Sequence, residues 1–312
     1  MNYSQLTKIV LLPLSISGLL LNTEPSKATD WSESNTAVSC QSNQQNMSDA
    51  AIGTSHSKPF TYSSNATPPH SACYATPDGY EITLYKIGMC TDDPFHSTDA
   101  DINFSDTNCT WSMESDNGVT VDLAASLNQS LALPSASTRP PNGTYTHFVM
   151  VMANNIKIKG SYTTTDETNG GTFYTKPSDN PGSTNSPGLF DKSLSAAQSF
   201  THEFDEYGFN VSSPCRFDYQ RTVSSGVNQG VVRAVVTNSS LETATNCSSI
   251  ARVVGVFKSN NSLKINEETN GLEIKFVVSG SGLYVEGGGP GDSTYQPNWA
   301  YSGDFIPTFN TF

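Results

Sequence analysis

Pro140–Gly160 reads PPNGTYTHFVMVMANNIKIKG, and its interpretation decides the fold. Pro140, Pro141, Asn142 and Gly143 end any regular element before them, because proline fixes φ and lacks an N–H. From Tyr145 to Met152, aromatic, β-branched and unbranched apolar residues occupy both alternation faces. A strand carries apolar groups on both faces when it is covered on both sides. After Asn154 and Asn155 the pattern becomes strict alternation, with Ile156 and Ile158 on one face and Lys157 and Lys159 on the other. That is a half-buried segment at the rim of a sheet. The stretch is the expected spine of a β-sandwich.

Working outward, Tyr80–Ile87 alternates as a strand after the turn Pro77-Asp78-Gly79. Cys109, Trp111 and Met113 start a short second strand, Asn117-Gly118 is a hairpin-type turn, and Val119–Leu123 is a third strand. Leu127–Leu133 fits a helical turn or a short strand equally well. Downstream, one strand is expected near Thr172–Thr175 and a helical turn within Leu189–Phe200. Strands follow at Arg216–Val223, Gly230–Val236, Ile250–Phe257 and Leu283–Glu286. Leu263–Glu267 and Leu272–Val278 alternate around Asn270-Gly271, the dipeptide that fills a type I′ turn because both central residues need φ > 0. A hairpin is predicted there. No stretch sustains a 3.6-residue apolar period, so the class is all-β: an antiparallel, disulfide-bonded β-sandwich, read as two β domains.

The succession ITLYKI, VTVDLA and PPNGTYTHFVMVMAN resembles the small prealbumin-type sandwich domains of secreted bacterial surface proteins, in which a Pro-x-Gly-Thr-Tyr turn leads into a strand. Here that turn is Pro141, Asn142, Gly143, Thr144 and Tyr145, and the match spans about residues 80–160. The resemblance implies a spacer, an adhesive module or a carbohydrate binder, and it transfers no catalytic residue.

Lys8, the apolar run Ile9–Leu21 and Ser26-Lys27-Ala28 read as an export signal cleaved after Ala28. The run is shorter than the roughly 20 apolar residues that a span requires, so no transmembrane segment is expected after cleavage. The expected order is then signal peptide 1–28, polar N-terminal segment 29–72 (a stalk, or a strand donated to a neighbour), β-sandwich 73–175, Pro/Gly/Ser-rich linker or long loop 176–195, and a second β domain 196–312. The boundary rests on Lys176–Gly188, KPSDNPGSTNSPG, and a loop within one large sandwich remains the alternative. Export gives an oxidising compartment and makes three disulfides the natural reading of six cysteines. Local pairing joins Cys215 to Cys247 and Cys90 to Cys109, which leaves Cys40 with Cys73.

Asp and Glu number 29 against 16 Lys and Arg, and an anionic surface repels nucleic acid and anionic lipid heads alike. The acidic loop between Cys90 and Cys109 places Asp99, Asp101, Asn103 and Asp106 near one another; such hard oxygen ligands suit Ca²⁺, and the leading alternative is an ordinary exposed acidic loop. It is no EF-hand: Phe104 stands where the loop glycine belongs and Thr110 where the bidentate Glu belongs. Of the other constellations, His202-Glu203-Phe204-Asp205-Glu206 lacks the second His of a zincin and reads as a solvated acidic turn. The glycine run 287–289 lacks the Gly-Lys-Ser/Thr of a phosphate loop. His147, on a strand, reads as a packed core or rim residue rather than a catalyst. The expectation is an exported, non-enzymatic protein at the cell surface, extracellular or periplasmic, that acts as a self-associating fibre subunit, an adhesin or an envelope component. The alternatives are a module that stacks surface glycans on loop aromatics and, third, a hydrolase.

Overall fold

The structure is a computed structural model that describes residues 38–39, 71–95, 102, 104, 109–125, 138–164, 171–179, 188–203, 218–223, 230–244, 247–278, 282–287, 297–303 and 306–311. Among them the chain forms strands β1 (Val38–Ser39), β2 (Ser71–Ala75), β3 (Gly79–Cys90), β4 (Cys109–Asp122), β5 (Gly143–Lys159), β6 (Ser161–Thr164), β7 (Gly171–Lys176) and β8 (Gly188–Asp191). There follow β9 (Phe200–Glu203), β10 (Asp218–Val223), β11 (Gly230–Thr237), β12 (Arg252–Ile265), β13 (Leu272–Val277), β14 (Leu283–Gly287), β15 (Pro297–Ser302) and β16 (Ile306–Thr311).

These strands build two seven-stranded sheets and a ribbon. One sheet runs β1-β2-β14-β15-β8-β7-β6, the other runs β10-β11-β12-β5-β3-β4 with β9 beside β5, and β13 pairs with β16. All pairings are antiparallel except β1 with β2. The larger core lies between the sheets: Ile82, Leu84, Met152, Ile156 and Ile158 of the β5 sheet share one buried cluster with Tyr162, Phe173, Leu283, Val285 and Ala300 of the other. The all-β, sandwich-like reading holds. Two domains are not shown, because both sheets take strands from either side of 176–195: β12 pairs along β5, and β14 pairs with β2.

Strand β5 behaves as its two-part pattern indicates. Through Ala153 it pairs with β12, and from Asn155 it pairs with β9. On its other side three residues, Ala153–Asn155, stand against the single Thr83 of β3. The two asparagines therefore mark a bulge at which the strand exchanges one neighbour for another. At Gly160 the chain turns from one sheet into the other, and a Cβ there would lie 2.6 Å from the Leu283 side chain. Buried Thr175 fastens this corner: its hydroxyl accepts the Gly160 N–H at 2.9 Å and donates to the Gln198 carbonyl at 2.8 Å. Tyr80, fully buried on β3, donates its hydroxyl to the Gly303 carbonyl at 3.0 Å and so ties the sheets at another point.

Three local expectations are corrected. The Asn270-Gly271 hairpin does not form: Leu263–Ile265 pair with Gly143–Tyr145 of β5, and β13 pairs with β16. The turn sits earlier, where Asn266 Oδ1 accepts the Glu268 N–H at 3.0 Å, and neither Asn270 nor Gly271 has positive φ. Asn117-Gly118 is likewise no hairpin turn, since β4 runs unbroken through it. Gly118, at φ 73°, belongs to a bulge in which Ser115–Gly118 face Tyr85 alone, and a Cβ there would be 2.5 Å from Thr83. Gly188–Phe200 holds no helical turn; it is the extended β8, a turn in which Asp191 Oδ1 accepts the Ser193 N–H at 2.7 Å, and the start of β9. Leu127–Leu133 lies outside the described residues, as does the N-terminal segment 29–72 apart from residues 38–39 and 71–72.

Candidate functional site

The odd-numbered residues of β5 from His147 to Val151 face away from the large core. Register extends them into rows across the sheet: Trp111, Gly88, Val149, Val256 and Arg233 in one, and Cys109, Cys90, His147, Lys258 and Val231 in the next. This outer face is apolar because a loop covers it. Cys90 and Cys109 are disulfide-bonded, directly opposite one another with Cα atoms 4.0 Å apart. The loop they close lays Phe95, Ile102 and Phe104 on Val149, Val151, Val235, Val254 and Val256. Trp111 lies over Gly88, where a Cβ would be 2.6 Å from the indole, and Phe104 meets Trp111 edge-on at 5.0 Å. Cations sit on the aromatic rings along this face: Arg233 at 4.6 Å from Phe95, Lys86 at 5.1 Å from Trp111 and Arg252 at 3.6 Å from Tyr85. Each such contact contributes about 0.5–1 kcal/mol at an exposed site.

His147 lies beneath the start of this loop and is only 4% exposed. Thr146 Oγ1 donates to the Thr91 carbonyl at 2.8 Å, so toward His147 Nδ1, 2.9 Å away, it can only accept. Nδ1 therefore carries the proton and Nε2 carries the lone pair. Among the described residues Nε2 has no hydrogen-bond partner, and Asp93 Oδ2 faces it at 3.9 Å. Burial lowers the His147 pKa, with Asp93 opposing that shift and Lys258 reinforcing it.

A second polar cluster belongs to the other sheet. Leu283 and Val285 point into the core, which sends Tyr284 and Glu286 to the outer face. In register, Tyr284 stands between Tyr74 of β2 and Tyr301 of β15, and the Tyr284 and Tyr301 rings lie 5.8 Å apart. Burial pushes the Glu286 carboxyl up to about 7, against a hydrogen bond from Tyr301. His202, on β9, fills the edge of this sheet. Strand β15 pairs with β8 only at Trp299 and Ala300, so the Ser302 N–H lies beyond the end of β8. It donates instead to His202 Nδ1 at 3.1 Å, with the Ser302 hydroxyl at 2.5 Å. Burial pushes His202 down to about 4. His202 is thus no part of a solvated acidic turn; a strand places it in the interior. Its sequence neighbours gave no sign of this, because its partner is 100 residues away.

Of the residues singled out in the sequence, Cys90 and Cys109 are joined as expected. Asp99, Asp101, Asn103 and Asp106 lie outside the described residues, as do Cys40 and Cys215 with the bonds expected to Cys73 and Cys247. Among the described residues no helix is long and apolar enough to cross a membrane. Comparison with protein-family models, curated proteins and solved structures returns no match to this chain.

Proposed function

We propose that this chain is an exported, non-enzymatic β-sandwich protein of the cell surface that acts by contact, as a structural or adhesive component. The observation that carries this reading is the Cys90–Cys109 loop, covalently closed and resting on the sheet at Phe95, Ile102 and Phe104. A disulfide persists in oxidising compartments. Closure by the disulfide and anchoring at those three residues reduce the ordering cost of meeting a partner. Self-association into fibres and attachment to surface glycans are both outlets for such a scaffold. The test has two arms: the mature protein is recovered outside the cytoplasm beginning at Thr29, and negative-stain microscopy at rising concentration is paired with a cell-adhesion assay. Retention in the cytoplasm, or monomers that bind no surface, would overturn the proposal.

A second reading, glycan binding, is favoured by the half-buried Tyr284–Tyr301 pair on the opposite sheet, since sugar rings stack on such aromatic faces. A glycan array on which Tyr284→Ala abolishes the hits supports it, and an array without hits removes it.

A further inference from the structure

We infer that His147 and Asp93 form a proton-operated latch beneath the disulfide-closed loop: uptake of a proton on Nε2 converts their open contact into a hydrogen-bonded ion pair that clamps the first turn of the loop to the sheet. In the neutral state the geometry is unfavourable on both sides. The Nε2 lone pair of a ring only 4% exposed faces a carboxylate oxygen 3.9 Å away, with no protein donor between them among the described residues. Two acceptors that face each other in this way lack a cation. A proton is the smallest that fits, and it changes the contact from acceptor against acceptor to charged donor against carboxylate, the strongest pairing available to either group.

The surroundings direct the proton to that atom. Nδ1 is already protonated and committed to Thr146 Oγ1, so Nε2 is the position left to titrate. Asp93 is 42% exposed, which opens the gap to water from the loop side. The other oxygen of Asp93 accepts the Phe95 N–H at 2.9 Å, so closing the latch draws on the same turn that seats Phe95 over the valines. The charged groups around the ring divide in sign. Asp92 and Asp93 from the loop favour the imidazolium, and Lys258, directly opposite on β12, disfavours it. On the β3 side the neighbour is Cys90, whose disulfide does not titrate. Burial holds the ring neutral near neutral pH, so the latch closes on the acid side of the ordinary histidine range.

The test follows the His147 ring by NMR and the protection of the Phe95 amide by hydrogen exchange, corrected for intrinsic rates, in the full-length mature protein. In the wild type, Phe95 protection rises on the order of tenfold as His147 becomes protonated, the scale of one charge-assisted hydrogen bond. Asp93→Asn keeps an oxygen for the Phe95 N–H, so the turn survives, but it loses the rise and moves the His147 midpoint to lower pH. Asp92→Asn, which removes a charge without removing the latch, keeps the rise. A rise that persists in Asp93→Asn, a fall in Phe95 protection as His147 titrates, or a ring that stays neutral down to acid unfolding would each overturn the inference.

Discussion

Removing the Cys90–Cys109 bond by Cys90→Ala/Cys109→Ala should cost the protein about 3 kcal/mol, and the structure supplies the terms. The bond joins residues 19 apart in sequence. For a loop of that size the chain-entropy relation gives roughly 0.6 kcal/mol plus 1.5RT ln n, about 2.6 kcal/mol, at 25 °C. Native packing opposes any larger loss, because Phe95, at 4% exposure, and its neighbours remain attached to the valine face by their own burial. The loss is therefore one of unfolded-state restriction and not of native contacts. Guanidinium denaturation followed by circular dichroism, in oxidised wild type and in the double variant, measures it. The expected result is a lower midpoint, an unfolding slope little changed, and preserved β signal in native buffer. A difference below about 1 kcal/mol would refute the entropic account, since the loop would then be equally restricted without the bond. A difference above about 6 kcal/mol would refute it the other way, by showing that the loop detaches and takes the outer face with it.

Tyr145→Phe deletes the hydroxyl that donates to the Pro141 carbonyl at 2.9 Å, and thermal denaturation should show a loss of about 1 kcal/mol. Gly88→Val drives a side chain into the Trp111 ring and the Thr110 carbonyl, both 2.6 Å from the Cβ position, and should cost about 1–3 kcal/mol with altered Trp111 fluorescence. Glu286 and His202 set opposing pH slopes. The Glu286 pKa is raised from 4.5 to about 7, so its contribution is complete below pH 4.5 and is lost as pH rises to 7, at most roughly 3 kcal/mol. The His202 pKa is lowered from 6.5 to about 4, so its contribution is complete above pH 6.5 and is lost as pH falls to 4. Between pH 4.5 and 6.5 the two slopes nearly cancel, so Glu286→Gln should unmask the His202 contribution as a rise in stability with pH from 4 to 6.5, read from stability measured at intervals from pH 4 to 8.

Much of the fold is legible because alternation reports which face of a strand is covered. The doubly apolar Tyr145–Met152 run is indeed packed on both sides, and the change of pattern after Asn154-Asn155 coincides with the exchange of β12 for β9. What alternation does not encode is the neighbour. Leu263–Ile265 alternates as well for pairing with Leu272–Ile274 as for pairing with Gly143–Tyr145, and a favourable turn dipeptide tips the local reading toward the wrong partner. The same limit hides the polar clusters. Glu286 stands in Leu283–Gly287 where an outward polar residue belongs, and nothing nearby marks it as buried against Tyr301. His147 is the exception, because a histidine set in a doubly apolar run must lie under something.

The pairing of β5 with β12 has a consequence for unfolding. A sequence divided at 176–195 suggests two transitions, one for each half. Yet the register runs from Arg252 opposite Ala153 to Ile265 opposite Gly143, and the other sheet joins Leu283 to Ala75. Neither half can keep its sheet when the other unfolds: β5 would lose the strand on one side, and Leu283, Val285 and Ala300 would lose the core they share with Ile82 and Ile158. The described sandwich should therefore unfold as one cooperative unit, with calorimetric and van't Hoff enthalpies in agreement. Cleavage within 180–187 provides a stricter version, since the fragments should stay associated in native buffer and separate only in denaturant. Two resolved heat-absorption peaks, or a fragment 196–312 that folds alone with dispersed NMR signals, would show that the interleaved sheets do not bind the halves into one structure.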